Sequence, residues 1–288
     1  MLNLILAVLC SVAVSVLLKI ARRRNIVIRQ AIAFNYILAS ALSYYVLTPD
    51  FKGLGFTEFV LQSEQAFIFL ALGILLPSVF MIMSKAVEYA GIVRADAAQR
   101  LSLFLPIIAA FVIFGETLSS GKLIGIILAF VALCCLLYKA ADKQLQKGGI
   151  ALAFVWLGYG VIDILFKQVA KSGAAFPATL FIAFILSACV MFGYLLFKRE
   201  IWTVPGFIGG IILGGLNFMN ILFYIKAHQS LSANPSLVFA GMNIGVICLG
   251  SITGALVFKE KISRVNLAGI LLGIAAILVL FYFNQLFG

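Results

Sequence analysis

The stretch RADAAQR, Arg94 to Arg100, sets an acid and a base four residues apart in a long apolar run. On a helix this spacing puts Asp96 and Arg100 on one face, acid first, the order that favours their interaction. A guanidinium in apolar surroundings must face protein or water, and it holds carboxylates through paired hydrogen bonds. With Gln99 beside them, the two offer both signs of charge to a zwitterionic solute; the same arrangement also serves as a self-neutralised brace. Asn217 and Asn220 lie one turn apart, and Ser236 and Asn243 two turns apart, so each pair shares a helical face. Such groups orient a polar ligand or join neighbouring helices. Tyr159 adds an aromatic surface against which a flat solute can stack.

Two further residues carry protons in principle. Asp163 stands four residues before Lys167, which either pairs with it or leaves it to titrate. His228, the single histidine, is either a polar residue at the membrane interface or a proton carrier. Catalysis finds little support in this inventory. One histidine, no pair of deep carboxylates and no metal-ligand spacing among Cys10, Cys134, Cys135, Cys189 and Cys248 argue against an enzyme and against a cofactor. No ATP-binding motif is present, which disfavours a directly ATP-driven pump.

The elements that must position these residues are membrane helices. The 288 residues are 64% hydrophobic and 11% charged, with a mean hydropathy of +1.17, far from the composition of a soluble domain. Runs of about 20 apolar residues cross a bilayer core, and the sequence offers ten. They are Leu2 to Ile20, Gln30 to Leu47, Ala66 to Val87, Ala95 to Gly115, Leu123 to Tyr138, Ile150 to Gln168, Phe176 to Phe197, Pro205 to Tyr224, Pro235 to Phe258 and Asn266 to Phe283. Short connections exclude exposed irregular backbone within lipid, and no alternating segments suggest a β-barrel. The expected fold is all-α.

The net charge of +11 reflects topology, because no soluble basic domain exists to bind nucleic acid. Cations concentrate in the odd-numbered connections, as in Arg22, Arg23, Arg24, Lys198 and Arg199. The positive-inside rule therefore expects both termini outside the cytoplasm, in a bacterial inner membrane.

The sequence repeats itself. SVLLKIARR from Ser15 matches DILFKQVAK from Asp163, LGILLPSVFMIMSKA from Leu72 matches LGGLNFMNILFYIKA from Leu213, and FGETLSSGKLIGIIL from Phe114 matches FKEKISRVNLAGILL from Phe258. Residues 1–140 and 147–288 thus read as two five-helix repeats in one transport domain. Five is odd, so the copies enter the membrane with opposite orientation, the inverted-repeat plan of secondary transporters.

The doubled lysine (Lys19, Lys167), glutamate (Glu116, Glu260) and glycine (Gly125, Gly269) resemble the drug/metabolite transporter superfamily, in particular its ten-helix EamA-like members. The resemblance spans nearly the whole chain. It implies a midplane cavity worked by alternating access, and export of a metabolite. The buried glutamate of the small multidrug resistance branch has no counterpart, since Ser11 and Tyr159 stand there, so its proton-for-drug exchange does not carry over.

The doubled residues themselves read as scaffold. Lys19 and Lys167 lie at helix ends from which a long stem reaches an interface, Glu116 and Glu260 lie in tight hairpins before capping serines, and Gly125 and Gly269 let helices approach closely. One asymmetric solute needs the halves to differ, so the residues that break the repeat are the expected contacts: Asp96, Gln99, Arg100, Asn217, Asn220, Ser236, Asn243 and Tyr159, with Asp163 and His228 as proton carriers. The expected solute is a small polar metabolite, an amino acid or derivative first. A nucleoside, vitamin or sugar-like solute taken up from outside is the alternative, and a membrane receptor or assembly subunit is the reading without flux. Ten helices enclose a site within one chain, so a monomer is expected.

Overall fold

A computed structural model describes the chain except residues 52, 54, 56–57, 61–65, 113–119, 138–142, 172–175, 232–234 and 288, and leaves undescribed the side chains of 110–111, 122, 137, 143–147, 167, 169–171, 235–237, 281 and 283–287. The described residues are all-helical. In chain order the helices are α1 (Leu2–Arg23), α2 (Ile28–Leu47), α3 (Ala66–Ala90), α4 (Ile92–Leu101), α5 (Phe104–Val112), α6 (Ser120–Leu137), α7 (Lys143–Lys171), α8 (Phe176–Phe197), α9 (Val204–Ser230), α10 (Pro235–Leu256) and α11 (Arg264–Phe287). Seven of them hold stretches long and apolar enough to cross a membrane: α1, α2, α3, α7, α8, α9 and α10. In α6 and α11 the apolar stretches, Leu123–Leu136 and Arg264–Leu280, are shorter. Large apolar side chains lie bare on the outside, among them Phe67, Phe197, Leu256 and Leu271, as a lipid-facing surface requires.

The expected fourth span, Ala95 to Gly115, is not one helix. It breaks between α4 and α5 at Ser102 and Leu103, and the hydrogen bonds give the reason. Pro106 has no N–H for the Ser102 carbonyl, the bond a continuous helix would make there. That carbonyl instead accepts from Leu105 N at 2.9 Å, while Ser102 N bonds back to Gln99 O at 3.3 Å and Leu103 N to Arg100 O at 3.4 Å. The turn has tightened to 3₁₀ spacing. The Ser102 hydroxyl also donates to Gln99 O at 2.6 Å. The Leu101 carbonyl, left outside the ladder, accepts the indole N–H of Trp156 on α7 at 3.1 Å. Trp156→Phe orphans that carbonyl, and a loss of roughly 1–2 kcal/mol is expected in a denaturant titration of the purified protein.

The described chain falls into two compact units, each drawing on both halves of the sequence. One comprises Met1–Lys19, Ile82–Val161 and Met219–Gly288; the other comprises Ile20–Met81 and Ile162–Phe218.

In the first unit α10 packs on α4, and α11 packs on α6, α10 and α4. Leu4, Ala7, Val8 and Val12 of α1 form an apolar cluster with Val238, Met242 and Val246 of α10, approaching closely because Gly241 faces Leu4 and Gly245 faces Val8. Helices α6 and α11 meet at glycines. Gly125 lies against the Ala276 carbonyl, and Gly269 against the Ala132 carbonyl and Cys135. Ser263 caps α11, its Oγ accepting Asn266 N at 3.1 Å. Asn266 in turn donates to the carbonyls of Cys135 and Leu136 near the end of α6, at 3.0 and 3.4 Å.

In the second unit α2 packs on α8, with Phe34 meeting Phe192, Trp202 and Phe207 edge-on. Gln30 fixes the start of α9: its Oε1 accepts from Thr203 N and Oγ1 at 3.0 and 2.8 Å, and its Nε2 donates to Ile201 O at 2.6 Å. Arg29 pairs with Glu200 nearby.

Candidate solute-binding site

The first unit holds a polar seam in an apolar setting. Ser11, Ser15 and Lys19 recur every four residues on α1, which places them along one face. Running in the opposite sense along α4, Arg100 and Asp96 meet the two serines. Arg100 Nη2 donates to Ser11 Oγ at 2.5 Å, and Ser15 Oγ donates to Asp96 Oδ1 at 2.6 Å. Lys19 does not reach outward for an interface. Its ammonium pairs with Glu260, in the connection after α10, and lies 5.0 Å from the Phe258 ring centroid.

Glu260 completes the seam at the start of α4. Its Oε1 accepts Ile92 N at 2.8 Å and its Oε2 accepts Val93 N at 3.2 Å. These are N–H groups that a helix start leaves open, at the end where its dipole favours an anion. No side chain caps α4 locally, because Gly91 occupies the N-cap at φ 88°. A Cβ at that position would strike the Glu260 carboxylate, so glycine serves both the backbone angle and the space.

Asp96 is 2% exposed, whereas Arg100, Gln99 and Ser11 are half-buried. The second Asp96 oxygen, Oδ2, has no hydrogen-bond partner among the described residues. It lies where Gly250 of α10 has no side chain; a Cβ there would sit 2.8 Å from it. Gly250→Ala must displace either the carboxylate or α10, and about 1–3 kcal/mol of destabilisation is expected in a thermal or denaturant unfolding series.

The other expected residues are distributed more widely. Asn217 belongs to the second unit, where its Nδ2 donates to Asn35 Oδ1 of α2 at 3.3 Å. Asn220 belongs to the first unit and donates to the Ala7 carbonyl of α1 at 2.7 Å. The Asn243 amide is buried and donates to Phe239 O on its own helix at 2.8 Å. Tyr159 is half-buried, and Asp163, one turn on, is exposed.

His228 lies within the last turn of α9. It sits edge-on between Tyr224 and Phe239, with Nδ1 3.1 Å from the Tyr224 carbonyl. Glu116 and the side chains of Lys167 and Ser236 lie outside the described residues. Among the described residues no cluster of His, Cys, Asp or Glu could hold a metal ion.

Sequence reasoning missed Ser11, Ser15 and Gly250 as members of the site. A serine pair at four-residue spacing in a largely aliphatic span was the available signal.

A protein of Haemophilus influenzae strain KW20, described as uncharacterized, is 68% identical over 287 residues, 99% of each chain. This chain belongs to the same family. No family model matches the sequence. A crystal structure of a protein with 15% identity covers 97% of this chain and 98% of its own with a TM-score of 0.56, a likeness of fold.

Proposed function

We propose that the protein is a secondary active transporter that moves a small polar organic solute, an amino acid or close derivative first, by alternating access. The single observation that carries this reading is the seam of Ser11, Ser15, Asp96 and Arg100 at a broken helix, with Ser15 and Asp96 buried and Ser11 and Arg100 half-buried. Placing an acid and a base among apolar helices, the acid fully buried, is costly and marks function more often than structure. Broken helices build solute sites in transporters because they free backbone groups and end dipoles inside the membrane. Arg100 holds the solute's carboxylate with Gln99 beside it, and Asp96 sets the charge around them.

The drug/metabolite transporter resemblance, the inverted five-helix repeats with ten spans, the bacterial inner membrane, the extracytoplasmic termini and a monomeric state belong to the same proposal. The tandem sequence matches and the distribution of cations between connections support it. The test is a thermal-shift screen of the detergent-purified protein against amino acids, nucleosides, vitamins and amines, repeated on Arg100→Ala. A ligand that binds only the folded state raises the melting temperature. A rise with amino acids that the variant loses supports the proposal; a rise that the variant retains removes Arg100 from the site, and a rise confined to nucleosides or vitamins replaces the solute class.

A further inference from the structure

Resting on the transport reading above, we propose that Asp96 is the proton-binding site of this protein, and that its protonation is linked to capture of the solute's carboxylate at Arg100. The geometry singles out one oxygen. Asp96 Oδ1 is held by the Ser15 hydroxyl at 2.6 Å, a donor that can bond to a carboxylate and, more weakly, to the carbonyl oxygen of a carboxylic acid. Oδ2 is buried, has no hydrogen-bond partner among the described residues, and faces the space left by Gly250. It is therefore the atom on which a proton rests, and Ser15 holds the group still in both states.

The surroundings are spare. On α1 the facing residue is Ser15, and the nearest cation of that helix, Lys19, is engaged by Glu260. The face of α10 presents Gly250. The charges that act on Asp96 are those of Arg100 on its own helix and Glu260 from the connection after α10. The residues expected from sequence fit the role less well. Asp163 is exposed; the His228 Nε2 is also buried without a partner among the described residues, but its ring lies between Tyr224 and Phe239, with Nδ1 on a backbone carbonyl, apart from Arg100.

Linkage follows from charge. An ionised Asp96 repels a carboxylate arriving at Arg100 four residues along the same face; a proton on Oδ2 removes that negative charge. Proton binding and carboxylate binding therefore favour each other, and by reciprocity each strengthens the other by the same factor. One O–H bond forms on Oδ2 with a proton taken from water on one side, and it breaks to release that proton on the other. The transmembrane proton gradient is the only co-reactant. Solute and proton cross in the same direction, so an inward gradient drives uptake, the opposite of the export that the drug/metabolite transporter resemblance implies.

Two measurements on the full-length protein test this. The first is an infrared pH titration in nanodiscs without ligand, comparing wild type with Asp96→Asn and Ser15→Ala. A carboxylic-acid carbonyl band should grow as pH falls, lose the intensity of one group in Asp96→Asn, and move its midpoint upward in Ser15→Ala, because the lost hydroxyl stabilised the anion. A titration identical in all three overturns the proposal.

The second uses proteoliposomes and a ¹⁴C-labelled pool of the twenty proteinogenic amino acids, measured as counterflow without a gradient and as uptake under an inward gradient of one pH unit. At one proton per solute such a gradient supports roughly tenfold accumulation, and in Asp96→Asn the accumulation ratio should fall to one. Accumulation retained by Asp96→Asn overturns the proton site while leaving transport standing. Absence of counterflow in wild type overturns the amino-acid reading and the linkage together, and the infrared titration still decides whether Asp96 binds a proton.

Discussion

Arg100→Ala is expected to lower both solute affinity and counterflow on the order of a hundredfold, with the fold retained. A guanidinium bonded to Ser11 at 2.5 Å in a half-buried seam is held ready for a planar acceptor. Truncating a desolvated charge partner costs roughly 2–5 kcal/mol, which is where the hundredfold comes from. Arg100→Lys keeps the charge but loses the two-pronged donor, so it should fall between wild type and alanine. Ser11→Ala removes one hydrogen bond from the guanidinium and should weaken binding only a few-fold. Counterflow in proteoliposomes and the ligand-induced thermal shift read the same series independently. If Arg100→Ala keeps wild-type affinity, the Asp96 and Arg100 pair is a brace and the solute binds elsewhere.

The second large effect concerns stability. Glu260→Ala should destabilise the protein by about 3 kcal/mol, since breaking a largely buried pair strands its partner. Glu260 and Lys19 are 11% and 14% exposed, and the same carboxylate takes the Ile92 and Val93 N–H groups. Three donors lose their acceptor at once. Glu260→Gln retains an acceptor oxygen for the helix start and should recover part of the loss. The double variant Lys19→Met with Glu260→Gln removes the stranded ammonium and should recover more. Unfolding in a denaturing detergent, followed by circular dichroism, gives the ranking. Equal stability of Glu260→Ala and wild type would show that Glu260 does not hold α4 in the folded protein.

The helices were legible in the sequence because hydropathy and span length are local properties. So was the shared face of Asp96 and Arg100, which needs only the helical period, and the capping of α11 by Ser263. The break at Ser102 was not read, although Pro106 is plain to see. A hydropathy window averages over side chains and is blind to a missing N–H. The seam was half legible: its α4 side carries charges, while its α1 side consists of serines that are common in membrane helices. The union of Glu260 with the start of α4 spans 168 residues of sequence, and no local pattern encodes a partner at that distance. Asn217 and Asn220 show the converse, for proximity along a helix did not make them share a partner, and they bond to α2 and α1 respectively.

Helix α4 is ten residues long, about 15 Å from end to end. It is a lever with a pivot and a catch. The pivot is the 3₁₀ turn at Ser102, where the ladder to α5 is already interrupted; the catch is Glu260 at the far end. A tilt of about 10° about the pivot carries the Gly91 end some 2–3 Å, enough to part hydrogen bonds that begin at 2.8 and 3.2 Å. Asp96 and Arg100 ride between pivot and catch, so any such tilt re-registers both against Ser15 and Ser11. Displacing a single short helix then alters the charge, the hydrogen bonding and the accessibility of the seam in one movement.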